Sequence, residues 1–326
     1  MIETVTKVGL PVDEVLRIQK RRILPLGATA KDIKKLKRIS IVTGTHGDEL
    51  EGQYVCFELA RRIEENMTCL SGIIDIYPAI NPLGIDSITR GIPAFDLDMN
   101  RLFPGNIDGN MTEFLAAGIV DDLKGSDVVL DIHASNIYLT EIPQIRINEL
   151  HEETCLWLAK KTNVDFIWVH GASTVLESTL AYSLNSVGTP TLVVEMGVGM
   201  RITVDYGNQL VDGIFNLMKT LEIWSGQVKE VREPIVSDNP QDVSFLNATK
   251  SGVFISKVKH WERLKQGQLV GQIVDPLSGK VLDEVKSPVD GILFTIRDYP
   301  IVDEGSLMGR LLRAECLKQN EKKDSI

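Results

Sequence analysis

Five short apolar runs punctuate the first two thirds of the chain: RISIVTG (38–44), GIIDIYPA (72–79), DVVLDIHA (127–134), FIWVHG (166–171) and TLVVEMG (191–197). Each is rich in β-branched residues and closed by glycine or a polar turn. A strand that alternates polar with apolar residues has one wet face. One that is apolar nearly throughout needs a layer packed on both sides. Between the runs, Leu50, Tyr54, Phe57 and Ala60 recur at helical spacing, as do Leu150, Thr154, Trp157, Leu158 and Lys161. Strand and helix alternating in this way predict an α/β layer fold.

The 326 residues, 43% of them hydrophobic, supply the core for a large domain and a small one. After Trp224 the texture changes to SGQVKEVREPIVSDNPQDVSF, with two prolines and many charges. The predicted division is a first domain over 1–228, a linker over 229–244, and an all-β domain over 245–326 in which glycines punctuate short strands. Within that domain GQLVGQI from Gly267 and GSLMGRL from Gly305 echo one another, the mark of an internal duplication. The closing CLKQNEKKDSI reads as a frayed tail.

A formal charge of -10 and a pI near 5.1 argue against a phosphate-binding surface, so neither a nucleic-acid nor an acidic-membrane partner is expected. The basic KDIKKLKR (31–38) reads as a solvated segment leading into the first strand. Cys56, Cys69, Cys155 and Cys316 lack CxxC spacing and fit reduced thiols, the first and third as small core residues. With neither a signal-like start nor an apolar span, a soluble cytoplasmic protein is expected.

Two histidines stand where apolar strands stop. His46 follows RISIVTG, with Glu49 three residues on, and His133 ends DVVLDIH. In open α/β sheets ligands gather beyond the carboxyl ends of the strands, so parallel strands would bring both imidazoles to one edge. HxxE alone is weak, because a helix amino terminus favours Asp48 and Glu49 through its dipole. Two histidines and one carboxylate, with a fourth position open, match the ligand count of a hydrolytic zinc site. Asp131 or Asp127 could orient an imidazole. Glu195 closes another apolar strand, a costly place for a carboxylate unless it faces a cleft, where it could serve as a general base; a turn cap near Gly197 and Gly199 is the other reading. In TRGIPAFDLDMNRLFPG (89–105), Asn100, Arg101 and Arg90 offer an amide and two guanidiniums suited to holding a carboxylate and polarising a carbonyl, unless Arg101 merely pairs with Asp96 or Asp98.

Taken in order, GTHGDELEG, DLDMNRLFPG, DIHAS and VVEMG resemble the succinylglutamate desuccinylase and aspartoacylase family of zinc carboxypeptidase-like (M14) hydrolases, over about residues 38–220. The resemblance implies a mixed, mainly parallel twisted sheet flanked by helices. It also implies one Zn2+ per chain held by His46, Glu49 and His133, with Glu195 as general base and acid. Asn100 and Arg101 would grip a substrate carboxylate and Arg90 would polarise the scissile carbonyl. The family usually reads DLNR where this chain reads DLDMNR, and Arg90 stands further from the Asn100, Arg101 pair than in the mammalian aspartoacylases. The implied activity is hydrolysis of a small N-acylated amino acid or related carboxylated amine. A carboxypeptidase on short peptides, or a retired hydrolase serving as a binding scaffold, are the alternatives.

Residues 245–313, through VKSPVDGIL, resemble biotinyl or lipoyl barrel-sandwich modules. The turn DPLSGK presents Lys280 without a flanking methionine, so no prosthetic group is expected. The module reads as a cap or as a contact in a homo-oligomer. Tyr299 is available as the tyrosine that some relatives contribute from this region, though no motif supports it. Specificity is expected from the loops GNIDGNMTEF (105–114) and HGASTVLESTLAYS (170–183). His170 in the second is expected to line the cleft without being a ligand.

Overall fold

An N-terminal hairpin, β1 (Ile2–Gly9) and β2 (Val15–Ile23), precedes a one-turn helix α1 (Ala30–Ile33). There follow β3 (Arg38–Thr43), α2 (Glu51–Glu64), β4 (Ile73–Tyr77), α3 (Pro82–Ser87), α4 (Met111–Leu123), β5 (Val128–His133), β6 (Leu139–Asn148), α5 (Glu152–Ala159), β7 (Phe166–His170), α6 (Leu180–Ser186), β8 (Thr191–Gly197) and α7 (Val204–Thr220). The strands that follow are β9 (Ile235–Ser237), β10 (Val243–Asn247), β11 (Gly252–Ser256), β12 (Arg263–Leu264), β13 (Leu269–Asp275), β14 (Lys280–Lys286), β15 (Gly291–Arg297), β16 (Ile301–Val302) and β17 (Leu307–Arg313). The structure, a computed structural model, describes residues 1–93, 95–171 and 177–317.

All five apolar runs are strands, and four of them, in the order β4, β3, β5, β8, lie side by side in parallel. They are apolar on both faces because both faces are covered. On one face Val55, Leu59 and Ile63 of α2 and Leu210, Ile214 and Leu217 of α7 pack on Ile39, Ile41 and Leu130; on the other Leu115 and Ile119 of α4 and Leu184 of α6 pack on Val42 and Val129. Each such side chain contributes about 1.5–3 kcal/mol on burial. The sheet as a whole is mixed, since β1 and β2 join it antiparallel through β4, and β6 joins antiparallel to β8.

Two helical faces differ from the reading by spacing. On α2 the buried stripe is Val55, Leu59 and Ile63, while Phe57 is 63% exposed. On α5, Cys155, Leu158 and Ala159 are buried and Trp157 is turned outward. A three-and-four spacing can be drawn through neighbouring faces, and the compact branched side chains, not the large aromatic ones, mesh with the strand surface.

β6 forks. Its second half pairs in parallel with β7, and its first half pairs antiparallel with β15. Through β15 the strands β17 and β10 extend the main sheet, while β14, β13, β11 and β16 form a second one. Phe254, Ile273, Leu293, Met308 and Leu311 fill the space between the two. The two echoing segments become β13 and β17. Each follows a glycine at positive φ, Gly267 (82°) and Gly305 (88°), and each carries a second glycine where a Cβ would strike a neighbour, Phe254 at 2.3 Å or the Thr295 carbonyl at 2.9 Å. That shared backbone requirement is why they read alike. Within the segment assigned to the linker, β9 pairs with β7. Cys316 and Leu317, at the head of the segment read as a tail, are buried against Phe294 and Leu312, and 318–326 lie outside the described residues. The four cysteines are free thiols, and no helix among the described residues is long and apolar enough to cross a membrane.

Asp75, fully buried on β4, clasps the hairpin to the parallel sheet. It accepts from Arg22 at 2.8 and 2.7 Å and lies 3.4 Å from Lys20 and 3.6 Å from Arg38. Without it, buried cations lose a counter-charge that water cannot replace. Asp75→Ala is expected to destabilise the fold by about 3–5 kcal/mol, read from the urea midpoint. A loss below about 1 kcal/mol, the size of an exposed pair, would show that the clasp is dispensable.

Candidate active site

Because β3 and β5 are parallel and adjacent, with Thr43 opposite Ile132, their carboxyl ends leave the sheet together. His46 lies three residues past β3 and His133 closes β5. The loop around His46 is stitched to the one bearing Arg90: Gly47 N donates to the Thr89 carbonyl at 3.1 Å, and Asn81 Nδ2 bridges the Thr45 carbonyl at 3.4 Å and the Gly91 carbonyl at 3.1 Å. Gly47 packs so closely on Gly84 that a Cβ would fall 1.9 Å from its carbonyl carbon. No other residue fits there.

Glu49 precedes α2, and its carboxylate turns toward the histidines, not toward the helix amides. Oε1 lies 2.8 Å from His46 Nδ1 and Oε2 lies 3.0 Å from His133 Nδ1. All three residues are buried, and one donor atom from each falls within 4.8 Å of the others. Both far nitrogens face carboxylates: His46 Nε2 donates to Asp98 Oδ1 at 3.0 Å, and His133 Nε2 lies 3.2 Å from Asp131 Oδ2, off the axis of a straight hydrogen bond. Burial works against charge on these groups, yet the partners win. Glu49 and Asp98 hold the His46 imidazole above its ordinary pKa, and Asp131 and Glu49 hold that of His133 well above it. Burial would raise the Glu49 carboxyl, but His46 and His133 hold it well below the usual carboxylate range.

The donor set fits a divalent cation that prefers nitrogen and oxygen ligands. Two imidazole nitrogens and a carboxylate oxygen converge, and each opposite ring nitrogen faces a carboxylate, with Nδ1 of each ring turned inward.

The cluster lines a cavity of about 530 Å³. Glu195 stands beside His133, its strand partner across β5 and β8, and its Oε1 accepts from Arg146 Nη1 at 3.2 Å. Burial pushes the Glu195 carboxyl up to about 7, against the pull of Arg146. Arg90 Nη1 donates to Glu49 Oε1 at 2.8 Å, and its Nη2 lies 3.5 Å from Asp98. Asn100 and Arg101 sit on the cavity wall, on a 3-10 turn whose Asn100 Oδ1 accepts from Leu180 N at 2.9 Å.

All seven sequence-predicted residues therefore meet in one cavity. Of the two candidates for orienting an imidazole, Asp131 faces His133, whereas Asp127 accepts from Arg38 N at the far end of β5. Asp98 pairs with His46 and Arg90, not with Arg101. His170 lines the cavity outside the donor cluster, and Tyr299 packs edge-on against Tyr138 at the rim, 5.7 Å between centroids. Lys280 is exposed at the start of β14. From the loops expected to set specificity, Thr179, Ala181 and Tyr182 line the cavity; 172–176 lie outside the described residues. Asp98, Arg146, Glu141 and Arg310 were not singled out from sequence. Only Asp98, inside the DLDMNR motif, carried a signal.

Residues 35–221, more than half of the chain, match the family model described as the succinylglutamate desuccinylase/aspartoacylase catalytic domain. The N-alpha-acetyl-L-2,4-diaminobutyric acid deacetylase of Halomonas elongata is 26% identical over 267 residues, covering 79% of this chain and 76% of the deacetylase. A succinylglutamate desuccinylase from Silicibacter sp. TM1040 superposes with a TM-score of 0.80 at 21% identity, covering 94% of this chain and 93% of that one. The product-bound ectoine utilization protein EutE (DoeB) from Ruegeria pomeroyi superposes with a TM-score of 0.78 at 18% identity, with the same coverage.

If Asp98 fixes the His46 ring, Asp98→Ala should weaken divalent-metal affinity by about 10- to 100-fold, measured by competition with a chromogenic chelator. Unchanged affinity in a folded variant would contradict that role.

Proposed function

The chain belongs to the succinylglutamate desuccinylase/aspartoacylase family, and on that premise we propose that it is a zinc-dependent deacylase that releases a small amino acid or related carboxylated amine from its N-acyl group. The observation that carries this reading is the convergence of a His-Glu-His donor set, a raised carboxyl and three further polarising or anchoring groups in one cavity. The name of the Halomonas relative, a deacetylase of an N-acetylated amino acid, supports the same reaction class.

His46, Glu49 and His133 would hold the zinc. Bound there, it supplies Lewis acidity, which polarises a carbonyl and brings the ionisation of water toward neutral pH. Asn100 and Arg101 hold the substrate carboxylate, which fixes the amide relative to Glu195. Glu195 takes a proton from the attacking water as the new C–O bond forms. Its raised pKa suits it to carry that proton and return it to the nitrogen as the C–N bond breaks. Arg90, whose guanidinium lies beside Glu49, would stabilise negative charge on the carbonyl oxygen. The products are a carboxylate and a free amine.

The test is a panel of N-acetyl and N-succinyl amino acids with free carboxylates against short peptides, with zinc-loaded enzyme. Turnover of an N-acyl amino acid is expected, with Glu195→Gln lowering kcat by about 100- to 10,000-fold while zinc stays bound. Wild-type turnover by that variant, or cleavage of peptides alone, would contradict the proposal. Arg101→Ala is expected to lower kcat/KM by loss of anchoring and orientation, measured on the same substrate; an unchanged value would remove Arg101 from the site.

A further inference from the structure

Among the positions at which the two echoing segments of the C-terminal region differ, one changes charge: where the first reads Gln272, the second reads Arg310. Gln272 lies on β13 in the outer sheet, whereas Arg310 lies on β17 and lines the catalytic cavity. Strand register explains how a residue so late in the chain arrives there. Glu141 of β6 is the cross-strand partner of Thr295 of β15, which is the partner of Arg310. Cross-strand partners point to the same face, so the three side chains form a row.

That row is one end of a chain of alternating charges. Arg310 Nη1 donates to Glu141 Oε1 and lies 3.4 Å from Thr295 Oγ1. Glu141, with only 1% of its side chain open, also accepts at both oxygens from Arg146 Nη2, at 2.9 and 2.7 Å. Arg146 Nη1 then reaches Glu195. Building on the reading that Glu195 moves the proton, we propose that Arg310 is a positioning residue for Glu195, acting through Glu141 and Arg146, so that the C-terminal β region is part of the catalytic apparatus.

The physical reason is charge balance in a buried place. Two carboxylates and two guanidiniums alternate, and each buried charge has an opposite neighbour. Arg146 already bridges both carboxylates, and without Arg310 it is left as the one guanidinium of the chain to balance them. The more deeply buried Glu141, already holding two of its hydrogen bonds, draws it away from Glu195. Glu195 then loses the contact that fixes its position, and a misplacement of about 1 Å costs on the order of 100-fold in rate. A merely structural bridge between two sheets would instead affect stability and leave the turnover of the folded fraction intact.

The test uses the full-length zinc-loaded enzyme with Arg310→Gln, which installs the residue of the other echoing segment, together with Arg310→Lys and Glu141→Gln. Expected for Arg310→Gln is a fall in kcat of about 10- to 100-fold with little change in KM, full zinc content, and substantial recovery in Arg310→Lys. In a Glu195→Gln background Arg310→Gln should add no further loss, because residues acting through one group are not additive. If Arg310→Gln does not fold, Glu141→Gln tests the chain from its other side: it weakens the paired hydrogen bonds that fix Arg146, so a fall in kcat with zinc retained is again expected. Multiplying losses, an effect on KM alone, or an effect on thermal stability alone would overturn the proposal. A crystal structure of Arg310→Gln decides it independently of turnover: the Glu195 carboxylate should leave its place beside Arg146, and an unmoved Glu195 would overturn it. A wild-type enzyme inert toward every N-acyl amino acid would fell the deacylase reading and leave this structural result to judge the charge chain.

Discussion

The Glu49 carboxylate between two imidazoles is the contact on which the rest of the site depends. Its two oxygens reach His46, brought by the loop after β3, and His133, brought by the end of β5. Neither histidine is near the other in sequence, so their meeting is a consequence of parallel register in a sheet whose strands are apolar on both faces. The helical layers that bury those strands therefore also fix the site. Burying three ionisable groups together is costly unless each has a partner, and here each does. Asp98 and Asp131 face the far ring nitrogens, and Arg90 touches Glu49 from the cavity side.

What sequence revealed and what it hid follow from the same physics. His133 and Glu195 were legible because each ends or interrupts an apolar run, where a charged side chain needs a reason to be, and His46 and Glu49 because they share the turn just beyond another such run. The parallel core was legible because double-sided burial leaves continuous β-branched runs. Asp98 was weighed only as a partner for Arg101. Divided as Asp98-Met99-Asn100-Arg101, the motif differs by one residue from the family's DLNR, with the extra acidic residue, Asp96, lying before it. Arg146 and Glu141 sit on a strand whose polar and apolar residues do not separate cleanly, and Arg310 lies in a repeat that reads as structure alone. Their role exists only once β6, β15 and β17 are set in register, which no single-strand pattern encodes. The outward aromatic residues Phe57 and Trp157 show the same limit for helices: spacing finds an amphipathic stretch more readily than it finds which side of it is buried.

The C-terminal region shows how a repeated β architecture is turned to use. Its two echoing segments share glycines for reasons of backbone geometry, and one of them lies in the outer sheet while the other extends the catalytic domain's own sheet. Buried residues from both parts of the chain, including Ile142, Phe166, Phe294 and Leu312, pack in a single cluster at that seam. A seam of this kind leaves little freedom for the region to move as an independent cap, and it sets Arg310 on the cavity wall.

The central claim is that His46, Glu49 and His133 share one metal ion. X-ray absorption at the zinc edge of the stoichiometrically loaded full-length chain tests it most directly. The expected first shell contains two imidazoles and carboxylate or water oxygens, with one imidazole lost in a His133→Ala variant. A shell containing sulfur, or one unchanged by that substitution, would contradict it.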